Sequence, residues 1–373
     1  MSRRKFLRDS AKVTGSLILP SWMMSCSAKH TASNQPKESN PSAATATKKL
    51  GVALIGLGYY SRDLLAPALQ LTQHCELRGI VTGSPDKIPL WQDKYGIKSS
   101  NVYSYDNLDA VAENDEIDVL YIVTPTATHA RFAIAAAKAG KHVWCEKPMA
   151  MDVAECQSII DACKANKVSL SIGYRMQHEP NTQTVISYAK KKPYGDIQDL
   201  LAHSGYGGSP PTSGWRSQPE MGGGALYDMG VYAINALRYG SGLEPIAVRK
   251  AQQTIPDRVD VTTSFEMLFP GGIVAQGKTS VVENINQLRV NCEKGWYELV
   301  PLQTYTGVQG QTSDGTLLNL PIENQQAKQM DDDALSILNN TEVLVPGLEG
   351  LKDIRIVQAI KESAAMGGKE ILI

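Results

Sequence analysis

The feature that most constrains this chain is an apolar strand that runs directly into a glycine-rich turn. Leu50–Ile55 is an unbroken apolar run, as expected of a strand covered on both faces. Gly56 and Gly58 follow at once, and residues 62–71 have the pattern of a helix. Gly56 permits the tight turn, Gly58 lets the backbone approach a pyrophosphate, and Ser61 takes the small position where helix and strand pack. The segment therefore predicts a dinucleotide-binding unit.

After this unit the chain alternates strands and helices as far as residue 173. Further strands are predicted at 76–81, 119–123, 142–145 and 168–172, with helices at 129–139 and 153–165. This alternation is typical of a doubly wound parallel sheet, in which ligands bind at the carboxyl ends of the strands. The candidate cofactor-binding residues therefore lie at the turn and the strand ends: Gly56, Gly58, Tyr59, Tyr60, Ser61, Ser84, Lys87, Thr124, Pro125, Thr126, His129, Glu146 and Lys147.

The end of the second strand bears on which dinucleotide is bound. NAD-binding proteins usually place an acidic residue there, where it binds the ribose 2′-hydroxyl. This chain has Gly83 and Ser84 instead, with Lys87 one turn further on. A hydroxyl and a cation suit a 2′-phosphate better, which favours NADP, with NAD as the alternative. A second interpretation, compatible with the first, is that Ser84 caps a short helix with Pro85 in its first turn.

The second half of the chain has a different pattern, with long strands from about residue 240 onward. Strands over 261–269, 272–281, 287–292 and 296–300, with a turn at 270–272, predict an antiparallel sheet with one covered face. A closing helix at 351–365 and a short strand at 370–372 follow. We therefore expect a Rossmann domain over 49–173 and an α+β domain with a large, mainly antiparallel open sheet over 174–373. The free sheet face is expected to form dimers or tetramers.

The candidate catalytic residues lie near the junction of these domains. Lys147 ends a Rossmann strand within Glu146-Lys147-Pro148, and Asp228 and Tyr232 are spaced to leave one face of a helix. A lysine, an aspartate and a tyrosine around one cleft suit proton transfer to or from a hydroxyl. The phenol would be the acid or base, and the nearby ammonium would favour its ionised form. The alternative is that Tyr232 is an ordinary helix residue and Lys147 a surface cation.

Taken in order, these segments resemble the superfamily of glucose-fructose oxidoreductase, inositol dehydrogenase and rhizopine catabolism proteins (Gfo/Idh/MocA). Many members have a histidine where this chain has Tyr232, and tyrosine there resembles the glucose-fructose oxidoreductase branch. The resemblance spans about 50–373 and is carried by the glycine-rich turn, Glu146-Lys147-Pro148, Gly173-Tyr174-Arg175, Trp215-Arg216, residues 222–235 and residues 350–353.

This resemblance implies a bound nicotinamide dinucleotide and a second domain that forms a sugar pocket. It implies that Pro148 is cis, which would direct Lys147 at the substrate, where it polarises the reacting oxygen. It also implies that Tyr232 exchanges the proton while Asp228 orients. Arg175, Trp215 and Arg216 would contact the cofactor or the substrate.

The first 48 residues have the composition of an export signal and a linker rather than of a folded domain. A twin-arginine signature at residues 2–7 and a mild apolar stretch at 13–24 predict a signal peptide over 1–26. Cys26 lies in a sequence that resembles a lipoprotein cleavage box, which makes it a candidate lipid anchor. Residues 27–48 are small and polar and predict a flexible arm. We therefore expect an exported, periplasmic protein.

Charge and cysteine usage argue against a nucleic-acid-binding protein and against a zinc protein. The chain has 37 Lys+Arg against 38 Asp+Glu and a net charge of −1, so we expect no nucleic-acid partner. No cysteine or histidine cluster has the spacing of zinc ligands, so we expect no metal site.

The export signal also constrains how the cofactor is used. The twin-arginine route carries folded proteins, so a dinucleotide can be loaded before export, whereas no pool of free NADP is expected outside. We therefore expect a sugar or polyol oxidoreductase with tightly bound NADP(H), reduced by one sugar and reoxidised by another. One alternative is an NAD-using enzyme that cleaves glycosides by oxidation, elimination and re-reduction. Another is a sugar-binding lipoprotein without catalytic activity.

Overall fold

The computed structural model describes residues 49–373 of the 373-residue chain. The predicted signal peptide, the Cys26 anchor and the arm over 27–48 lie outside the described residues. The described part contains a six-stranded and a nine-stranded sheet. None of the helices in that part is long and apolar enough to cross a membrane.

The six-stranded sheet is entirely parallel, in the order β3-β2-β1-β4-β5-β6, which confirms the predicted doubly wound fold. Because crossover helices cover both faces, every residue of its central strand β1 is buried. The strands are β1 (Leu50–Ile55), β2 (Cys75–Val81), β3 (Val102–Tyr103), β4 (Val119–Ile122), β5 (His142–Cys145) and β6 (Leu170–Ile172). The helices are α1 (Ala66–Ala68), α2 (Ile88–Tyr95), α3 (His129–Lys138) and α4 (Val153–Ala165).

The helix after the glycine-rich turn is shorter than the predicted span of 62–71. A π-helical turn at Ser61–Leu65 leads into α1, which ends at Ala68. The Thr72 hydroxyl donates to the carbonyl oxygens of Leu69 (2.9 Å) and Cys75 (2.7 Å). These bonds turn the chain toward β2 and end the helix early.

The nine-stranded sheet has the order β14-β13-β12-β11-β7-β10-β9-β8-β15. Only the β7–β10 pair in it is parallel, so the prediction of a mainly antiparallel sheet is confirmed. The predicted turn at Pro270–Gly272 joins β9 to β10, and Gly271 and Gly272 both have positive φ. The strands are β7 (Ile197–Gly205), β8 (Ala247–Thr254), β9 (Thr262–Leu268), β10 (Val274–Ser280), β11 (Asn286–Cys292), β12 (Gly295–Leu299), β13 (Gly310–Thr312), β14 (Leu317–Leu318) and β15 (Ile371–Leu372).

Four further helices follow β6 along the chain, and the first of them joins the two sheets: α5 (Pro180–Lys191), α6 (Val231–Ser241), α7 (Gln325–Leu338) and α8 (Gly347–Ala365). Helices α6 and α8 pack on one face of the large sheet, and α8 also packs on α4 of the Rossmann part. Helix α7 buries Ala327, Met330 and Ala334 against the core of the Rossmann sheet. The opposite face of the large sheet carries ion pairs such as Lys250 with Glu266 (2.8 Å), so it is polar.

Candidate functional site

The glycine-rich turn after β1 has the shape of a phosphate-binding loop. Gly56 has φ +94°, and a Cβ there would lie 2.9 Å from the Thr124 side chain and from the Val123 carbonyl. At Gly58 a Cβ would meet nothing within 4 Å, so a ligand can approach its backbone closely. Ser61 is buried, and its hydroxyl donates to the Gly56 carbonyl at 2.5 Å. These residues therefore fit a dinucleotide pyrophosphate as the sequence predicted.

The end of β2 meets this turn. Lys87 Nζ donates to the carbonyl of Leu57, between the two glycines, at 3.2 Å. A short 3₁₀ helix spans Pro85–Lys87, but the Ser84 side chain makes no capping hydrogen bond to it. Ser84 thus stands directly before the helix with Pro85 in its first turn, as predicted, but the expected capping bond from its hydroxyl is not formed. Its role toward a 2′-phosphate stays a prediction.

The residues that follow β4 fix the main chain around the Lys147–Pro148 peptide. His129 is buried, and its Nδ1 and Nε2 each lie 2.8 Å from a main-chain carbonyl, those of Pro148 and Thr124. Burial lowers the pKa of His129. Because both ring nitrogens lie against main-chain carbonyls, and the neutral ring donates to one of them, His129 joins the segment after β4 to the Lys147–Pro148 segment, and its ring nitrogens do not face a ligand. Thr126 is also buried.

The three predicted catalytic residues come together between the sheets. The Lys147–Pro148 peptide bond is cis, as the resemblance implies. Lys147 Nζ donates to the main-chain carbonyl of Asp228 at 2.8 Å and lies 4.2 Å from the centroid of the Tyr232 ring. The alternative that Lys147 is only a surface cation does not match these contacts.

Asp228 and Tyr232 do not present their polar groups to each other. Arg216 Nε donates to the Asp228 carboxylate at 2.9 Å, whereas the Tyr232 hydroxyl bonds Arg175. A π-helical turn at Leu226–Gly230 precedes α6, so Asp228 lies in that turn and Tyr232 in the first turn of α6. The two polar groups bind different arginines, and the expectation that both side chains leave one face of the helix stays a prediction.

Arg175 lies at the centre of the site. Its guanidinium donates to the Tyr232 hydroxyl, to Gln303 Oε1 (2.9 Å) and to Gln325 Oε1 (3.2 Å), and it stacks 4.6 Å from the centroid of the Tyr305 ring. Gln303, Tyr305 and Gln325 were not predicted from the sequence. No local pattern marks them, because two lie in the loop after β12 and the third begins α7.

Glu146 completes the inner wall of the site. The Tyr121 hydroxyl donates to its Oε1 at 2.8 Å, and the Lys147 amide donates to its Oε2 at 3.2 Å. Burial raises the pKa of Glu146, and the charges of Lys147 and Arg175 oppose that rise. A Cβ at Gly173 would lie 2.7 Å from Glu146 Oε1, so the glycine makes room for the carboxylate.

The outer rim of the site is open. The Arg216 guanidinium stacks 4.4 Å from the centroid of the Trp215 ring, and the Arg216 side chain is 48% exposed. Tyr59 is 60% exposed, while the neighbouring Tyr60 ring lies 6.2 Å from that of Tyr305, centroid to centroid. Aromatic faces and a guanidinium are thus exposed on this side of the site, and such groups suit a polyhydroxylated ligand.

Two protein-family models match this chain over most of its described length. The model for the oxidoreductase family with an NAD-binding Rossmann fold, Gfo/Idh/MocA, matches residues 50–174, and the model for the Gfo/Idh/MocA C-terminal domain matches residues 182–298. The chain belongs to the Gfo/Idh/MocA family. It is therefore an NAD(P)-dependent oxidoreductase, as predicted, and the two matches contain Lys147 and Tyr232 respectively.

Several Gfo/Idh/MocA proteins are similar along most of the chain. The aldose-aldose oxidoreductase from Caulobacter crescentus, solved with glycerol, is 34% identical with a TM-score of 0.83, covering 87% of this chain and 100% of that one. A D-xylose 1-dehydrogenase (NADP⁺) of Haloarcula marismortui is 25% identical over 84% of this chain and 90% of its own. A 3-ketoreductase from Actinomadura kijaniata, solved with TDP-benzene and NADP, is 22% identical with a TM-score of 0.72, covering 85% and 98%, and shares the fold.

Proposed function

We propose that this Gfo/Idh/MocA protein is an exported sugar oxidoreductase that keeps NADP(H) bound and transfers hydride between two sugars. The observation that carries the proposal is the cluster in which Lys147 and Arg175 both contact Tyr232. The similarity to an aldose-aldose oxidoreductase over that protein's whole length supports a sugar on both sides of the reaction. The NADP⁺ named for the xylose dehydrogenase supports the choice of dinucleotide.

The chain's residues divide the proton chemistry of such a reaction. A nicotinamide dinucleotide, when bound, accepts a hydride from a sugar CH–OH carbon or returns one to a carbonyl carbon. In the oxidation, Lys147 donates a hydrogen bond to the reacting oxygen while Tyr232 takes the hydroxyl proton, which leaves a carbonyl. In the reduction of a second sugar, the carbonyl carbon receives the hydride and Tyr232 returns the proton. The hydride and the proton that the first sugar gives up are thus the ones that the second sugar receives.

The contacts between the two sheets support retention of the dinucleotide. Tyr305 comes from the loop between β12 and β13, yet its ring packs against Tyr60, two residues beyond Gly58. Arg175 binds the same loop through Gln303 Oε1 at 2.9 Å. Asn286 holds the loop from β11, since its Nδ2 donates to the Gln303 carbonyl at 2.7 Å. A loop fixed in this way would cover the phosphate turn and slow the release of a bound dinucleotide.

The decisive experiment is mass spectrometry of the molecule released on denaturing protein that was purified without added cofactor. Near-stoichiometric NADP(H), reduced in one turnover by a first aldose and reoxidised by a second, is the expected result. The Lys147→Met variant should release the same cofactor on denaturation but carry out both half-reactions far more slowly than the parent. Release of NAD(H) would favour the glycoside-cleaving alternative instead. An empty site, or turnover only with excess added NADP, would overturn the retention of the cofactor.

Export and assembly are further parts of the proposal. The twin-arginine signature at residues 2–7 supports export to the periplasm, and Cys26 supports a lipid anchor. Replacing Arg3 and Arg4 by lysine should leave the protein in the cytoplasm, and Cys26→Ser should move it from the membrane to the soluble periplasmic fraction. The open face of the large sheet supports a homodimer or homotetramer, which sedimentation would measure. A monomer at micromolar concentration would overturn that part.

A further inference from the structure

Arg175 is a buried cation for which the described residues supply no anionic partner within bonding distance. The residue is 1% exposed, and its hydrogen bonds go to Gln325 Oε1, Gln303 Oε1, the Thr304 carbonyl and the Tyr232 hydroxyl. Burying a charge costs free energy unless an opposite charge or strong hydrogen bonds compensate it. Three of these partners are amide oxygens that carry no charge. Only Tyr232 can become an anion.

A second buried arginine of the same chain shows the usual arrangement. Arg238 is 4% exposed and forms ion pairs with Glu244 (2.7 Å), Glu349 (2.9 Å) and Asp353 (2.6 Å). The fold therefore does compensate a buried guanidinium with carboxylates where the role is to hold elements together. At Arg175 it places a phenol instead.

Glu146, the carboxylate that faces this region, is engaged elsewhere. Its two oxygens accept hydrogen bonds from the Tyr121 hydroxyl and the Lys147 amide. The Lys147 charge acts on Glu146 more strongly than that of Arg175 does. Glu146 therefore forms no ion pair with Arg175 among the described residues.

Lys147 and Arg175 contact Tyr232 in different ways. The Lys147 ammonium lies over the face of the Tyr232 ring, 4.2 Å from the centroid, and its hydrogen bond goes to the Asp228 carbonyl. The Arg175 guanidinium carbon lies 5.2 Å from the centroid, and Arg175 bonds the hydroxyl directly. Of the two cations, Arg175 is therefore the one that holds the oxygen on which the charge would form.

We propose that Arg175 is the positioning residue that makes Tyr232 a proton acceptor: its guanidinium stabilises the phenolate, which takes the proton of the sugar hydroxyl. This proposal rests on the proposed function and reassigns to Arg175 a task that the sequence analysis gave to Lys147. In the oxidation the proton moves from the sugar oxygen to the Tyr232 oxygen, and in the reduction it moves back. Arg175 stays protonated throughout, and Lys147 remains free to bind the reacting oxygen.

The test uses the full-length holoenzyme and follows single-turnover reduction of its bound cofactor by an aldose as a function of pH. Arg175→Met keeps the length of the side chain and removes the charge. We expect a rate about 10²-fold lower at neutral pH, in the range of a lost general base, recovering toward the parent rate at alkaline pH. Arg175→Lys should recover part of the neutral rate and the parent's pH profile. Arg78→Met, which removes a partly exposed arginine far from Tyr232, should match the parent.

Two outcomes would overturn the proposal: an Arg175→Met rate equal to that of the parent, or a loss of rate that is the same at every pH. Cofactor content and melting temperature show whether each variant is folded. If Arg175→Met does not fold, the parent is compared with Tyr232→Phe by ultraviolet difference titration, which detects phenolate directly. Absence of a Tyr232 phenolate at the pH of turnover would also overturn the proposal. Because this titration needs no substrate, it remains informative even if no sugar reacts and the proposed function fails.

Discussion

Lys147 Nζ donates a hydrogen bond to the main-chain carbonyl of Asp228 at 2.8 Å, across 81 positions of the sequence. This contact joins the end of a Rossmann strand to the π-helical turn that precedes α6. Since the acceptor is a backbone oxygen, the position of the ammonium depends on the path of the chain rather than on the Asp228 side chain. The carboxylate of Asp228 is left to bind Arg216 at the open rim.

Lys147 and Asp228 should therefore differ sharply in their effect on the reaction. Lys147→Met removes the donor to the reacting oxygen, and we expect a loss of about 10²- to 10³-fold in kcat with the cofactor still bound. Asp228→Asn keeps the carbonyl that holds Lys147 and weakens only a half-exposed ion pair, so a loss of about tenfold or less is expected. Steady-state kinetics on both variants measure the difference. Equal losses would show that the carboxylate acts directly in the reaction.

Tyr305 should control how long the cofactor stays bound. Tyr305→Ala removes the ring that packs against Tyr60 and against the Arg175 guanidinium, so we expect faster release of NADP(H) and a purified protein with much less of it. Tyr305→Phe keeps both ring contacts and should retain the cofactor like the parent. The measurement is cofactor content after extensive dialysis. Full retention by Tyr305→Ala would show that the loop does not cover the dinucleotide.

Lys87 should decide between the two dinucleotides. Its ammonium reaches the glycine-rich turn at Leu57, beside the end of β2 where a 2′-phosphate would lie. Lys87→Gln removes the charge, and the loss of a charge-assisted hydrogen bond is expected to weaken NADP binding by about tenfold or more. The affinity for NAD should change little. Titration of cofactor-free protein with both dinucleotides checks this, and an equal change for both would remove Lys87 from the 2′-phosphate site.

Asp333 should make the protein less stable at high pH. It is fully buried on α7, and burial raises its pKa to about 6 although His178, Ser171 and Gln329 act in the opposite direction. Because the folded form holds the proton more tightly than the unfolded form, this group stabilises the fold at acidic pH. That contribution is lost as the pH rises through about 6.

Asp333→Asn should therefore raise the free energy of unfolding at pH 8 by about 3 kcal/mol relative to its effect at acidic pH, as follows from a rise of about two pKa units. Denaturant unfolding of parent and variant at both pH values measures the difference. Glu323→Gln, at an exposed position shortly before α7, serves as the control and should show no such dependence. A variant less stable than the parent at pH 8 would mean that an ionised Asp333 is compensated.

Much of the fold could be predicted because, in many elements, the local pattern of apolar and capping residues matches the burial that the folded chain gives them. Strand β1 and helix α4 lie at the predicted residues, since the first is apolar throughout and the second begins after Asp152, which accepts a hydrogen bond from the Glu155 amide. Strand β7 was not predicted. Only part of it is buried, and its parallel pairing with β10 joins residues 75 positions apart, such as Asp199 and Val274, which no local period reveals.

The catalytic cluster was predicted only in part for a related reason. Lys147 and Tyr232 lie in sequence segments that resemble those of a known family, whereas the partners of Arg175 are brought to it by long-range packing. Gln303 and Gln325 lie 128 and 150 positions from Arg175, one in a loop and the other at the start of α7. Their amide side chains carry no chemical signature, and only the path of the folded chain brings them to the guanidinium.

The packing of α8 on both α4 and β8 has a consequence for the molecule as a whole. One continuous core contains Ile55 of the first sheet and Phe265 of the second, together with Ile354 and Val357 of α8. Neither sheet has a complete hydrophobic interior of its own. A Rossmann part transplanted to another protein, for example to give it a new pocket, would therefore have to bring α8 with it. Without α8, the apolar surface of α4 that this helix covers would be exposed to water.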